Sequence, residues 1–228
     1  MPIAIVLLSG GLDSSTVLAI AKEKGFDVVA LTFDYGQKHK REIESAKKIT
    51  RRMGVKRHVV VPMSFGEPPN SSLTSDSQEI PVRRNRSEIA GGIPSTYVPA
   101  RNIVFLSMAS SMAESMGASS VFIAANAVDF SGYPDCTPEF IESFQNMLDV
   151  GTKAGKDGRR IRVEAPLLKM SKADIVREAV RLKVPLELTW SCYRGGSKAC
   201  GKCDSCVLRL EGFKAAGVKD PVEYEVDK

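Results

Sequence analysis

Long apolar runs are missing from this chain. No stretch approaches the roughly 18–20 residues that cross a bilayer. Residues 3–8 are too short for a secretion leader and lack its flanks, so the expectation is a cytoplasmic protein. Aromatic residues are scarce at 7 %, with one tryptophan, and they are not interleaved with basic side chains. That speaks against a stacking platform for single-stranded nucleic acid. Only two histidines occur, His39 and His58, and they stand apart. A solvated helix residue and an ordinary strand residue are the readings that suit them. Two nucleotide signatures are absent as well. There is no Gly-Lys-Ser/Thr, hence no Walker loop, and no Gly-x-Gly-x-x-Gly, hence no dinucleotide turn. Neither an internal repeat nor a low-complexity tract is found.

What remains is an ordinary soluble composition: 228 residues, 43 % apolar and 26 % charged. That length suits one large domain, or a domain with an appendage. The net charge of +5 is mildly basic and fits anionic substrates as well as it fits RNA. The five cysteines are distributed unevenly. Cys192, Cys200, Cys203 and Cys206 crowd into fifteen residues, and Cys136 stands alone. Without a secretion signal, such a cluster points to metal rather than to disulfides.

Along the chain, strand and helix alternate. Residues 3–8, 28–33 and 58–61 are apolar runs of the kind buried in a parallel sheet, with helical patterns at 14–24 and 38–53 between them. Residues 63–97 carry little periodicity. They read either as a solvated loop or as a flap over a site. Residues 100–116 resume as a helix and 121–124 as a fourth strand. Thr137-Pro138-Glu139 opens another helix with a capping side chain, a proline and an acid. Residues 151–160 read as a loop and 161–164 as a fifth strand. Ser171–Asp174 resembles a capping box, and a last helix covers roughly 203–216 before Gly217. The expected fold is α/β: a doubly wound, mainly parallel five-stranded sheet with a small C-terminal appendage. Residues 1–188 form the sheet domain and 189–228 the appendage.

Between the first strand and first helix lies Ser9-Gly10-Gly11-Leu12-Asp13-Ser14-Ser15. A glycine turn that runs into a helix N-terminus aims backbone N–H groups and the positive end of a dipole at one point. Gly10 and Gly11 allow close approach, and Ser9, Ser14 and Ser15 offer hydroxyls. Asp13 cannot attract a bare anion; it makes sense as a loop anchor or a magnesium ligand. The cysteines suit one tetrahedral zinc with a closed, structural coordination shell. An iron–sulfur reading is the competitor, but the fourth cysteine lies upstream and no Cys-Pro follows.

Ser-Gly-Gly-x-Asp-Ser after a first strand resembles the pyrophosphate loop of the N-type ATP pyrophosphatases. The segments Phe33–His39, Val98–Asn102, Asp129–Cys136 and Thr189–Tyr193, with the cysteine spacing, resemble the family of 7-cyano-7-deazaguanine synthases of the queuosine and archaeosine pathways. The resemblance implies an adenine nucleotide alpha-hydrolase-like sheet and an AMP-forming ligase. It implies that Leu8 through Leu18 (Leu8, Ser9, Gly10, Gly11, Leu12, Asp13, Ser14, Ser15, Thr16, Val17, Leu18) bind ATP. Asp13, Arg101 and Lys172 would be catalytic, and Asp129, Phe130, Tyr133 and Asp135 would hold the deazaguanine. Zinc on the four cysteines and magnesium with ATP are the implied cofactors. ATP, ammonia and 7-carboxy-7-deazaguanine are the implied partners, with no nucleic acid and no membrane. A homodimer stays open. The chain departs from the family's usual glycine at Ala100 and its usual arginine at Thr137.

Two other functions compete. A tRNA-thiolating enzyme of the same superfamily would need a sulfur-carrying cysteine or a cluster near the loop, for which Cys136, outside the cysteine cluster, is the candidate. A zinc-ribbon nucleic-acid module would bind RNA tightly without ATP turnover.

Overall fold

The computed structural model describes residues 1–65, 71–89, 91–126 and 132–225. Five strands pair in parallel: β1 (Ile3–Leu7), β2 (Asp27–Asp34), β3 (Arg57–Pro62), β4 (Ser120–Phe122) and β5 (Arg162–Glu164). Their order across the sheet is β3-β2-β1-β4-β5. Ala4 of β1 lies opposite Val28 on one side and Ser120 on the other. The winding therefore reverses between β1 and β4. A reversal of this kind leaves a crevice at the C-terminal strand ends.

Helices cover both faces. On one face Ala4, Val6, Val28, Ala30 and Phe122 pack against α1 (Leu12–Glu23), α2 (Arg41–Arg52), α7 (Lys172–Arg181) and α8 (Asp204–Ala216). On the other face Ile5, Leu7, Val29, Leu31 and Val121 meet α4 (Arg101–Met116) and α5 (Pro138–Gly151). This explains why β1 and β2 read as continuous apolar runs rather than alternating ones. β3 is an edge strand and only half buried. Two short helices complete the set among the described residues, α3 (Arg86–Ile89) and α6 (Lys153–Lys156).

The expected caps form. Thr137 Oγ1 accepts from Phe140 N at 3.1 Å, and Ser171 and Asp174 exchange bonds in a capping box. The loop expected at 151–160 needs correction, because α6 lies inside it. Thr152 Oγ1 caps that helix by accepting from Gly155 N at 3.0 Å. A four-residue helix is too short to leave a periodic trace in sequence.

Of the expected loop or flap at 63–97, residues 66–70 and 90 lie outside the described residues; the described remainder is exposed over much of its length but is tied down at several points. Ser71 and Ser72 are fully buried, and Ser72 N donates to Ser95 O at 2.8 Å. Arg83 N donates to Lys202 O at 2.8 Å, and Arg84 pairs with Asp204 at the start of α8. The segment lies between the crevice and the cysteines. The C-terminal part is also tied inward: Phe213 joins the core of β1 and α1, and Trp190 N donates to Gly10 O at 2.9 Å. Among the described residues no helix is long and apolar enough to cross a membrane.

Candidate active site

The crevice is a cleft of about 290 Å³. Leu8, Ser9, Gly11, Leu12, Asp13 and Ser14 form one wall. Gly10, Ser15, Thr16, Val17 and Leu18 do not reach it and support the wall from behind. Gly10 has φ +87°, and a Cβ there would stand 2.2 Å from Glu42 O of α2. Both facts demand glycine. Ser15 Oγ donates to Gly11 O at 2.7 Å and Thr16 Oγ1 to Leu12 O at 2.8 Å, while Val17 and Leu18 are core. Ser9 Oγ and Ser14 Oγ lie 3.0 Å apart and brace the turn. No side chain caps the N-terminus of α1. Leu12, Asp13 and Ser14, whose backbone N–H groups have no partner within the helix, line the cleft, an arrangement that suits an anion.

Asp13 opens α1 at the cleft. Its Oδ2 is paired with Lys172 Nζ and accepts from Asn126 Nδ2 at 2.9 Å. Its Oδ1 is buried and has no hydrogen-bond partner among the described residues. A buried carboxylate oxygen left open beside an anion cradle suits a hard divalent cation. Lys172 reaches Asp13 because α7 and α8 pack closely at Gly212, where a Cβ would meet Lys172 Cβ at 2.9 Å.

The rest of the lining forms a second wall from separate segments: Tyr35, Gln37, Lys38, His39 and Glu42 before and within α2, then Leu73, Thr96, Arg101, Asn102 and Tyr133. Arg101 Nη1 donates to Tyr35 OH at 3.3 Å. Burial opposes the Arg101 charge and the Tyr35 oxygen favours it, with a net upward shift, so the guanidinium stays protonated. Burial, with the nearby Glu42 charge, pushes the Tyr35 phenol up to about 12 and keeps it neutral. Tyr133 OH bonds to Thr96 Oγ1 at 2.9 Å. Asp135 stands behind this wall. Its Oδ2 accepts from Asn102 N at 3.0 Å, and its carbonyl accepts from Asn102 Nδ2 at 3.1 Å. Its carboxylate thus serves the N-terminus of α4. Asp129 and Phe130 lie outside the described residues.

Sequence reading missed Glu42, Gln37, Asn102 and Asn126 as site residues. Two of them, Gln37 and Asn102, sit inside segments that carried the resemblance, and that was the available signal. His39 also needs correction. It precedes α2, is half buried and lines the cleft, and Gly195 folds over it so closely that a Cβ would meet His39 Cβ at 2.2 Å. Burial holds its imidazole below the ordinary value. His58 is an ordinary strand residue, with Nε2 2.8 Å from Thr32 Oγ1.

The four cysteines of the C-terminal segment converge. Cys192, Cys200, Cys203 and Cys206 are buried, and their sulfurs lie within 4.8 Å of one another. A tetrahedron with bonds of about 2.3 Å has edges of about 3.8 Å, so the set fits one ion. Gly201 turns the chain at φ +68°, and Cys203 N donates to Cys200 Sγ at 3.3 Å. Hydrogen bonds from Cys203 and Cys206 pull the Cys192 thiol down, and the same contacts push Cys203 and Cys206 up. Four crowded thiols cannot all ionise without a cation, and a divalent metal removes that conflict. Four such ligands would fill the shell of a tetrahedral ion.

A helix N-terminus suited to an anion at the switch point of a parallel sheet, with four cysteines that could hold one metal ion, fits a nucleotide-using α/β enzyme. Comparison with known proteins narrows this. The model described as queuosine biosynthesis protein QueC matches residues 3–217, and the chain belongs to the QueC family. It is 50 % identical over 221 residues to the 7-cyano-7-deazaguanine synthase of Acetivibrio thermocellus, covering 97 % of each chain. It is 53 % identical over 221 residues to that of Thermoplasma volcanium, covering 97 % of this chain and 90 % of the relative. It is 52 % identical over 223 residues to that of Myxococcus xanthus, covering 97 % and 96 %.

Proposed function

We propose that this protein is an ATP-dependent 7-cyano-7-deazaguanine synthase. It converts 7-carboxy-7-deazaguanine and ammonia to the nitrile through adenylated intermediates, with release of AMP and pyrophosphate, and it works in the cytoplasm. The observation that carries this reading is the shared cleft. An uncapped helix N-terminus with the open Asp13 Oδ1 shares it with Arg101, Asn102 and Tyr133. The relatives' names agree with it.

A carboxylate is a poor electrophile. Attack of its oxygen on the α-phosphate of ATP gives an acyl adenylate with a good leaving group. Ammonia displaces AMP to give an amide. Adenylation of the amide oxygen lets a second AMP leave as the nitrile forms. In this scheme Ser9, Gly11 and the N–H groups of Leu12, Asp13 and Ser14 hold the pyrophosphate as its charge develops. Lys172 adds a cation to that wall and orients Asp13. Asp13, through its open Oδ1, would hold a magnesium ion brought with ATP, and that ion would supply charge neutralisation. Arg101 orients the α-phosphate or the carboxylate. Tyr133, with Asp129 and Phe130, holds the deazaguanine, and Asp135 supports Asn102 and the start of α4. Leu73 and Thr96 close the cleft side and help exclude water that would hydrolyse the adenylate. One zinc on the four cysteines has a structural role, with residues 189–228 as its carrier beside the nucleotide domain at 1–188.

The test is incubation with ATP, magnesium, ammonium and 7-carboxy-7-deazaguanine, read by mass spectrometry. Nitrile, AMP and pyrophosphate are expected. ADP in place of AMP overturns the assignment.

A further inference from the structure

Glu42 is a carboxyl with no role in the scheme above. It opens α2 on the cleft wall, and its backbone carbonyl touches the phosphate turn at Gly10. Its Oε1 accepts from Gln37 Nε2 at 3.2 Å. Gln37 is itself fixed, since its Oε1 accepts from Tyr35 N at 2.8 Å and its Nε2 reaches Phe33 O at 3.3 Å. Among the described residues Glu42 forms no salt bridge, although the Arg101 charge acts on it from α4 and the Tyr35 phenol from the end of β2. Elsewhere on the cleft wall stand Asp13, Lys172, Lys38, His39, Tyr193 and Arg209.

A half-buried, oriented carboxylate with no cation locked to it is suited to carry a proton. Its rivals are less suited. Asp13 and Lys172 are committed to each other. Arg101 cannot deprotonate. Burial sets the Glu42 carboxyl to about 7, where it exchanges protons at neutral pH.

We propose that Glu42 is the proton acceptor of the amination steps, taking a proton from ammonium as it becomes the nucleophile. The proposal rests on the functional reading above, in which the acyl adenylate is the electrophile. Ammonium gives one proton to the Glu42 carboxylate and keeps the lone pair. That pair forms the C–N bond at the acyl carbon while the carbonyl π pair moves to oxygen. The π pair then returns, the C–O bond to AMP breaks, and AMP leaves with that bonding pair. Loss of a second proton from nitrogen leaves the neutral amide, and Glu42 releases its own proton to solvent. In the second round the nitrogen of the adenylated amide loses both remaining protons as AMP leaves and C≡N forms, and Glu42 is placed to accept again.

The experiment compares the parent with Glu42→Gln and Glu42→Asp in two assays. Substrate-dependent ATP–pyrophosphate isotope exchange, without ammonium, reports adenylation. Nitrile formation with ammonium, from pH 5.5 to 9, reports amination. Glu42→Gln is expected to slow nitrile formation at pH 7 by about a hundredfold or more while exchange changes by about threefold or less. The acidic limb near pH 7 should disappear, and the variant's rate should climb with pH as free ammonia replaces ammonium. Glu42→Asp should recover part of the rate and the limb. Equal losses of exchange and amination would overturn the proposal, as would a Gln variant that keeps the parent's limb. If the parent itself shows no exchange with the deazapurine, the functional reading falls, and the role of Glu42 with it.

Discussion

The two walls of the cleft are built in different ways. The phosphate wall comes from one local stretch, Leu8 to Ser14 with Gly10 set behind it, and in the proposed scheme its working groups are backbone N–H groups at the start of a helix. The second wall gathers Tyr35, Gln37, Glu42, Arg101 and Tyr133 from four segments, and side-chain hydrogen bonds hold it together. A backbone site is fixed as soon as its strand, turn and helix form. A side-chain site exists only after the sheet order has brought distant segments together. The first should fail through local geometry, and the second through charge and pH.

The phosphate turn and the segment around Val82 both meet the cysteine segment, which gives the largest expected effect. Trp190 reaches Gly10 on one side, and Cys203 pairs with Val82 on the other. Cys203→Ser should lose bound zinc and several kcal/mol of stability. Hydrogen exchange should quicken at the Arg83 amide and at Trp190 together, and a chelator should do the same to the parent. A variant that keeps its metal and its stability would separate the two segments and refute the shared anchor.

Next come the two glycines. Gly10→Ala forces a Cβ into the α2 backbone at positive φ and should cost about 3 kcal/mol. Gly11 has its nearest neighbours at 3.4 and 3.5 Å, so Gly11→Ala should fold normally. It should still weaken ATP binding, because the methyl group crowds the anion's approach. Thermal unfolding and nucleotide titration separate these outcomes.

The second wall should answer to pH. Burial raises the Glu42 carboxyl from 4.5 to about 7. A raised folded-state value means that stability is fully present below the unfolded value of about 4.5 and is lost as pH rises through about 7. Glu42→Gln removes that loss. The variant should be more stable than the parent at pH 8, by about 1–3 kcal/mol after allowance for cleft water, and the gap should shrink toward pH 5. Melting temperatures at both pH values check the sign.

The smallest effect is at Ala100, which holds φ +56° and ψ +20° at the N-cap of α4. A left-handed alanine is strained, and glycine would relieve that strain. Ala100→Gly should raise stability by about 0.5–1 kcal/mol, read by denaturant midpoint. Thr137, the other departure, caps the N-terminus of α5, where its Oγ1 accepts from Phe140 N.

These contrasts also explain what the sequence made legible. The strands buried on both faces, the phosphate turn, the caps at Thr137 and Ser171 and the cysteine quartet are local patterns, and each could be read in place. Glu42 was hidden in a charged amphipathic helix, where one acid among several looks solvated. Asn126 became visible only when its side chain met Asp13, 113 positions away. Asp135 sat in the motif that suggested a ligand contact, yet its carboxylate is used by the backbone of α4. His39 looked like a surface residue until Gly195 was found against it.

The central claim is that the phosphate wall holds pyrophosphate while the substrate's own oxygen attacks the α-phosphate. It can be followed with 7-carboxy-7-deazaguanine labelled with oxygen-18 in both carboxylate positions. The account predicts one labelled oxygen in each of two AMP molecules per nitrile, with none in pyrophosphate. Label in pyrophosphate or in orthophosphate would contradict it.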